Sequence, residues 1–249
     1  MIDIPRIFTI SESEHRIHNP FTPEKYATLG RALRMAPGTT ILDLGSGSGE
    51  MLCSWARDHQ IVGTGVDMSL LFSQQAAARA EELGVSDRVT FVHQDASGYV
   101  ASQPCDVAAC VGATWIGGGG AGTIELLKQS LIPGGMLLIG EPWWRKRPAT
   151  AEEAVACGAQ SPDDFLTLPA LVAHFGELGY DVVEMVLADQ EGWDRYEAAK
   201  WLTMRRWLEA NAHDDFAPEV RQQLTTAPLH HVTWTREYLG WGVFVLMAR

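Results

Sequence analysis

The sequence predicts an α/β fold with a doubly wound, mostly parallel sheet, and three observations support that prediction. Short apolar runs alternate with amphipathic segments along most of the 249 residues, which is typical of repeated βα units. A glycine-rich stretch, ILDLGSGSGE at 41–50, joins the first apolar run to the first helical one. The alternation stops after residue 190, where two helical segments precede one last strand.

Seven segments have the apolar content and the length of strands. They are residues 40–45, 61–67, 89–95, 105–113, 136–142, 180–188 and 240–249. The predicted helices are residues 50–59, 69–84, 122–131, 166–179, 191–212 and 217–228. Ser69 is a suitable N-cap and Gly84 a suitable stop for the second of these helices. We predict one domain over 1–249, made of an N-terminal arm (1–25), a ligand-binding core (26–190), a helical insertion (191–230) and the last strand (231–249).

Composition and charge exclude several classes of partner. The net charge of −12 disfavours nucleic acid and anionic membranes, because both repel an acidic surface. No run approaches the roughly 20 apolar residues of a membrane span, and the N-terminal stretch lacks the apolar core of a signal peptide. The four cysteines have no CxxC spacing, and no His, Asp or Glu pattern indicates a metal site. We therefore expect a soluble cytoplasmic protein without a metal.

The glycine loop predicts close approach of a ligand to the backbone. Gly45, Gly47 and Gly49 form G-x-G-x-G at the end of the first strand, where the absence of Cβ atoms permits a tight turn. A dinucleotide fingerprint, G-x-G-x-x-G, requires glycine at position 50, which is Glu50. That carboxylate disfavours a nicotinamide-dependent oxidoreductase, which stays a weaker alternative. No Gly-Lys-Ser/Thr follows, so the loop is not a Walker motif.

Two acids at strand ends point to a nucleoside. Asp67 ends the second predicted strand, where a carboxylate accepts hydrogen bonds from both ribose hydroxyls. Asp95 ends the third and is placed to accept from the amino group of adenine. The carboxyl ends of parallel strands meet at one edge of a sheet, so these acids and the glycine loop face one crevice.

Five motifs, in this order along the chain, resemble those of the class I S-adenosylmethionine-dependent methyltransferases. They are ILDLGSGSG (41–49), GVDMS (65–69), HQDA (93–96), CDVAACVGATW (105–115) and LIPGGMLLIGE (131–141). The resemblance covers about residues 20–190, and the whole chain resembles the YjhP-like bacterial group of these enzymes. It implies a Rossmann-like, seven-stranded sheet whose last strand is antiparallel, with S-adenosylmethionine as the cofactor.

The resemblance also implies a set of cofactor-binding residues. The glycine loop would wrap the methionine part, Asp67 would hold the ribose, and Met68 would lie on the adenine face. The set comprises Asp43, Gly45, Ser46, Gly47, Gly49, Asp67, Met68, Asp95, Ala96, Gly112 and Ala113.

Two residues are candidates for catalysis and five for binding of the acceptor. Glu141 ends the fifth predicted strand, where it could bind an amine of the acceptor or act as a base. The alternative is a salt bridge to Arg145 or Arg147. His18 in the arm is the second candidate base, and His15 lies near it in the sequence. The alternative is that both histidines are simply exposed to solvent. The candidates for acceptor binding are Trp115, Trp143, Trp144, Tyr196 and Trp201. Core packing is the alternative for the tryptophans.

The hypothesis with most support is a methyltransferase acting on a small, apolar or aromatic acceptor. CVGATW (110–115) stands where an enzyme that methylates nucleic-acid bases would carry an NPPY-like motif. The alternative from another class is a non-catalytic protein that binds or senses S-adenosylmethionine. The inserted helices allow two interpretations, a lid over the crevice or the surface of a homodimer.

Overall fold

In a computed structural model that describes residues 4–249, seven strands form one sheet. The strands are β1 (Thr40–Leu44), β2 (Val62–Asp67), β3 (Val89–His93), β4 (Cys105–Val111), β5 (Leu131–Trp144), β6 (Tyr180–Leu187) and β7 (Leu239–Ala248). Their order is β3-β2-β1-β4-β5-β7-β6. The pairs among β1 to β5 are parallel, and β7 is antiparallel to β5 and β6. The predicted fold class is confirmed, including the antiparallel last strand.

Helices pack on both faces of this sheet. They are α1 (Arg6–Glu12), α2 (Pro23–Ala32), α3 (Glu50–His59), α4 (Leu70–Glu82), α5 (Gly120–Lys128), α6 (Ala151–Ala156), α7 (Leu168–Glu177), α8 (Gln190–Ala210), α9 (Ala217–His230) and α10 (Arg236–Tyr238). Successive strand residues point to opposite faces, so Ile41 packs in the core with α2 and α3, while Leu42 packs in the core with α5 and α7.

The order of the strands places a crevice beside β1. The chain leaves β1 toward β2 on one side and later returns as β4 on the other, which makes the carboxyl ends of β1 and β4 a topological switch point. The glycine loop joins β1 to α3, and Ser69 caps α4 through a hydrogen bond from the N–H of Phe72. The N-termini of α3 and α4 therefore open onto the same edge of the sheet.

The N-terminal arm contains α1, a helix that the sequence does not predict. Ile10 of α1 packs in a third cluster with Met204 and Leu208 of α8 and Val220 of α9. Arg6 forms an ion pair with Asp214 at 2.7 Å. A helix of seven residues is too short to be stable by itself, so packing on α8 and α9 stabilises it. The arm and the insertion thus form one helical layer.

The fifth strand differs most from its predicted bounds. The sequence predicts a helix to residue 131 and a strand from residue 136, whereas α5 ends at Lys128 and β5 already begins at Leu131. The register of β5 against β4 shifts between Cys105 and Val107. This irregularity accommodates Gly134 and Gly135 within β5. Within residues 4–249, no helix combines the length and apolar composition that crossing a bilayer requires.

Candidate active site

A cavity of about 280 Å³ lies at the carboxyl ends of β1, β2 and β4. Its wall combines the glycine loop, the residues after β2 and β4, and the start of the arm. The lining residues are Ile4, Pro5, Phe8, His18, Gly45, Gly47, Asp67, Met68, Phe72, Ala96, Val111, Gly112, Ala113, Trp115 and Ile116. Among these side chains of the described residues, only His18 and Asp67 are ionisable.

The glycine loop is held by the acid that ends β2. Asp67 accepts a hydrogen bond from the N–H of Gly47 at 2.8 Å on one carboxylate oxygen. Its other oxygen accepts from the N–H of Ser69 at 2.8 Å. A carboxylate has about four acceptor positions, so Asp67 keeps capacity for hydroxyl donors from a ligand.

Asp43 lies beneath the loop as a buried acid. It is 4% exposed, and its Oδ1 has no hydrogen-bond partner. Burial, together with the charge of Asp67, raises the pKa of Asp43 to about 7. Asp43 and His18 line the same small cavity of about 30 Å³ below the loop. An unpaired buried carboxylate is costly, so this position suits a ligand that brings a hydrogen-bond donor or a positive charge.

The residues after β3 divide between the cavity and the solvent. Ala96 lines the cavity, whereas Asp95 is exposed and its Oδ1 accepts a hydrogen bond from the N–H of Ser97 at 2.8 Å. This hydrogen bond and one from the Ser97 hydroxyl lower the pKa of Asp95. Asp95 therefore remains ionised at the rim of the cavity.

The segment after β4 forms the opposite wall. Gly112 and Ala113 line the cavity, as the resemblance implies, and are followed by a 3₁₀ turn at Thr114–Gly117. Trp115 lies on this turn, lines the cavity, and is 50% exposed. A large apolar side chain that stays this exposed beside a cavity is available to pack against a ligand.

Four of the five aromatic candidates lie outside the residues that line this cavity. Trp144 is 1% exposed and donates its indole N–H to the carbonyl of Pro162. Trp143 packs against Gly240, and Tyr196 donates its hydroxyl to Glu12 at 2.7 Å. Trp201 lines a separate cavity of about 200 Å³ between α1, α8 and α9. Phe8 lines both cavities.

The cover of the cavity comes from the arm. Pro5 and Phe8, at the start of α1, line the cavity, and no residue of 190–230 does so. Of the two interpretations of the insertion, the lid describes α1 better than residues 191–230, because the insertion packs on the outer side of α1. Phe8 and Phe72 meet edge to face, with ring centroids 6.2 Å apart. Sequence reasoning missed both side chains, and the apolar residues Ile7, Phe8 and Ile10 in the arm were the available signal for Phe8.

Glu141 lies behind the wall that follows β4. It is half-buried and lies against Gly120: a Cβ on that glycine would be 2.7 Å from Oε1 of Glu141. Burial raises the pKa of Glu141 to about 7, and a hydrogen bond with the Thr114 hydroxyl acts in the opposite direction. Neither of the predicted salt bridges forms, since Arg147 pairs with Asp163 instead and no ion pair joins Glu141 to another described residue.

His18 lies directly on the glycine loop. A Cβ on Gly47 would be 2.6 Å from Cδ2 of its ring, and φ at Gly47 is +53°. Both facts require glycine there. The ring also packs against Phe72, with centroids 4.2 Å apart. Its nitrogens lie near Glu12 and Ser48, at 3.3 and 2.8 Å. Glu12 was not predicted, because its role depends on how α1 docks.

Comparisons with known proteins show what this chain is similar to. A family model described as a methyltransferase domain matches residues 41–135. The chain is 75% identical over 248 residues to the uncharacterized protein YjhP of Escherichia coli K12, and covers 100% of both. It is also similar over 100% of both chains to a SAM-dependent methyltransferase from Geobacter sulfurreducens (TM-score 0.98, 72% identity) and to one from Thiobacillus denitrificans (TM-score 0.97, 68% identity). Both crystal structures are complexes with S-adenosyl-L-homocysteine.

Proposed function

This chain belongs to the class I S-adenosylmethionine-dependent methyltransferases, and from that premise we propose that it methylates a small, apolar or aromatic acceptor. The observation that carries the proposal is the lining of the cavity. Apart from Asp67 and His18, the described side chains that line it are apolar or absent. A site with this lining selects its ligand by shape and apolar packing rather than by charge.

The residues present fit the cofactor. Gly47 lines the cavity, Asp43 offers a buried carboxylate oxygen without a partner, and Asp67 can accept from hydroxyls. We propose that these residues, with Gly45, Ser46, Gly49, Met68, Asp95, Ala96, Gly112 and Ala113, hold it. When bound, S-adenosylmethionine supplies an electrophilic methyl carbon on a sulfonium. The protein then has to orient a nucleophile and exclude water.

The arm and the turn after β4 would perform those two tasks. Pro5 and Phe8 cover the cavity and would keep water away from the methyl carbon. Water that reached it would compete with the acceptor for the methyl group. Trp115 presents an aromatic face at the opposite wall. We propose that a flat acceptor stacks there, because an exposed indole binds planar apolar groups well.

The lining also argues against highly charged acceptors. No Arg or Lys of the described residues lines the cavity, so a phosphate or a carboxylate on the acceptor would be desolvated without a partner. The net charge of −12 acts in the same direction over a longer range. A neutral acceptor with a thiol, phenol or amine nucleophile fits best.

The test is methyl transfer from deuterated-methyl S-adenosylmethionine to matched acceptor pairs, followed by mass spectrometry. Thiophenol and 4-mercaptobenzoate form one such pair, since they differ by a carboxylate. We expect kcat/KM to favour the neutral member. Trp115→Ala should raise KM for the acceptor by roughly 3- to 10-fold, with little change in affinity for S-adenosylhomocysteine. Val155→Ala, at a residue 61% exposed on α6, is the control. Preference for the charged member would contradict the proposal.

A further inference from the structure

The cavity of about 200 Å³ between α1, α8 and α9, here the outer cavity, adjoins the main cavity at the ends of β1, β2 and β4. Among the described residues, only Phe8 lines both of them. Phe8 is 39% exposed, and a side chain that exposed changes its rotamer within nanoseconds. The two cavities therefore meet at one ring, and a turn of that ring can join them.

The outer cavity has an apolar end next to Phe8. Its walls α1 and α8 run antiparallel. Arg6 pairs with Asp214, just beyond the end of α8, at 2.7 Å. Glu12 accepts from Tyr196, near the start of α8, at 2.7 Å. The lining residues on the side of Arg6 are apolar, and they are Ile7, Phe8, Trp201 and Met204. A ligand that enters past Phe8 thus meets apolar surface first.

The other end of the outer cavity is charged. Glu197 and Lys200 line it and pair at 2.6 Å, with side chains that remain 20% and 19% exposed. Glu12 lines it too, but its two oxygens already face the Tyr196 hydroxyl at 2.7 Å and Nδ1 of His15 at 2.6 Å. An ammonium has three donors and a carboxylate several acceptor positions. The Glu197–Lys200 pair therefore keeps hydrogen-bonding capacity for a ligand, without a net charge.

We propose that the outer cavity binds the tail of an elongated acceptor, whose ring bears the nucleophile and lies in the main cavity against Trp115. The tail passes Phe8, is apolar along its length, and ends in a neutral group that donates and accepts hydrogen bonds, such as a hydroxyl or a primary amide. A neutral end fits the balanced Glu197–Lys200 pair, whereas a charged end would leave one member of the pair without its partner. The inference rests on the proposed function, which places the acceptor in the main cavity, and it names a substrate class for that site.

A series of para-substituted thiophenols separates the ring, the tail and its end. Thiophenol has no tail, 4-butylthiophenol has an apolar one, and 4-(3-hydroxypropyl)thiophenol replaces the terminal methyl group with a hydroxyl. The pair 4-hexylthiophenol and 4-(5-hydroxypentyl)thiophenol extends the length. Methyl transfer from S-adenosylmethionine is followed by mass spectrometry. We expect kcat/KM to rise roughly 10-fold from thiophenol to the better alkyl compound, because the tail buries methylenes, and the matched hydroxyl compound to be at least as good.

A blocking variant tests where the tail lies. Ala227 on α9 lines the outer cavity and not the main one, so Ala227→Phe fills part of the outer cavity. It should raise KM for the tailed compounds by roughly 10-fold and leave KM for thiophenol within about 2-fold of the wild-type value, because thiophenol does not reach that cavity. Ala77→Phe, at an exposed residue on α4, is the matched control and should change neither.

Two binding measurements accompany the kinetics. Calorimetry with S-adenosylhomocysteine should give the wild-type affinity for both variants, which shows that each is folded. Calorimetry of the product sulfides, thioanisole and 4-butylthioanisole, on protein saturated with S-adenosylhomocysteine repeats the comparison of tails without turnover. The wild-type series alone tests the proposal if Ala227→Phe does not fold.

The outcomes are distinct. Loss of the advantage of the tail in Ala227→Phe, but not in Ala77→Phe, supports the inference. The inference is overturned if neither tail length improves kcat/KM, if the hydroxyl end lowers it, or if Ala227→Phe affects thiophenol and the tailed compounds equally or not at all. The proposed function stands in each of these cases as long as thiophenol is methylated. If no thiol is methylated and no sulfide binds, the proposed function fails and the inference fails with it.

Discussion

Asp67 accepts the backbone N–H of Gly47 at 2.8 Å, so the acid that ends β2 holds the loop that follows β1. Its second oxygen holds the N–H of Ser69, at the start of α4. One side chain therefore joins three elements at the edge of the cavity. The remaining acceptor positions of this carboxylate stay open for the ribose hydroxyls that we propose it binds.

Replacement of Asp67 should affect binding more than folding. Asp67→Ala removes both hydrogen bonds to the backbone and the ribose acceptor, and we expect binding of S-adenosylhomocysteine to fall below detection by calorimetry. The far-UV circular dichroism spectrum should remain that of the wild type. Asp181→Ala, at an exposed residue paired with Arg249, is the control. Unchanged affinity in Asp67→Ala would contradict the site assignment.

Two glycine variants separate backbone strain from displacement of the arm. Gly47→Ala and Gly84→Ala both place Cβ at a positive φ, +53° and +66°, and should each lose roughly 1–2 kcal/mol of stability. Only the first adds a clash, because the new Cβ would be 2.6 Å from His18, whereas Gly84 has no atom within 4 Å.

We therefore expect Gly47→Ala to release the arm and to speed trypsin cleavage after Arg16, and Gly84→Ala to leave that rate near the wild-type value. Equal cleavage rates in the two variants would show that His18 does not depend on the space above Gly47.

The buried acid should make stability depend on pH. The pKa of Asp43 is raised from 3.8 to about 7 in the folded protein, so its contribution to stability is complete below about pH 4 and is lost as pH rises toward 7. Asp43→Asn removes this dependence.

The difference in unfolding free energy between Asp43→Asn and the ligand-free wild type should grow in favour of the variant over that range. The change should be a few kcal/mol, since one pKa unit corresponds to about 1.4 kcal/mol. Urea unfolding at pH 4, 5.5 and 7 measures it. A difference that stays constant would mean that Asp43 is not held in a protonated state by burial.

Phe8 should matter for the cover of the cavity. It is 39% exposed. It lines the cavity on one side and, on the other, the separate cavity between α1, α8 and α9 that Trp201 also lines. Phe8→Ala should weaken S-adenosylhomocysteine by about 5-fold, because the variant buries less apolar surface against the ligand. Leu229→Ala, at a residue 71% exposed on α9, should not. Equal affinity of the Phe8 variant and the wild type would place the cover elsewhere.

Local sequence features predicted the sheet and much of the cavity wall. Apolar runs and the glycine before a helix are local signals, and α3 spans Glu50–His59 directly after Gly49, as predicted. The helix α1 was missed because its stability comes from packing on α8 and α9. For the same reason Phe8 and Glu12 were not expected near the glycine loop.

Side-chain placement beyond the strand ends could not be read from spacing. Trp143 and Trp144 follow the predicted strand 136–142 in sequence, but pairing with β7 extends β5 to Trp144, so both residues pack within the sheet layers. Trp115 leaves its strand at a 3₁₀ turn and remains at the cavity. Which aromatic residues reach a ligand therefore depends on where each strand stops pairing.

Calorimetry of the wild-type protein with S-adenosylhomocysteine tests the central claim most directly. The account predicts one site per chain with micromolar affinity, about −8 kcal/mol, and no binding by Asp67→Ala. Absence of heat and of competition with S-adenosylmethionine, in a protein whose circular dichroism shows it to be folded, would contradict the claim that the cavity at the ends of β1, β2 and β4 is a cofactor site.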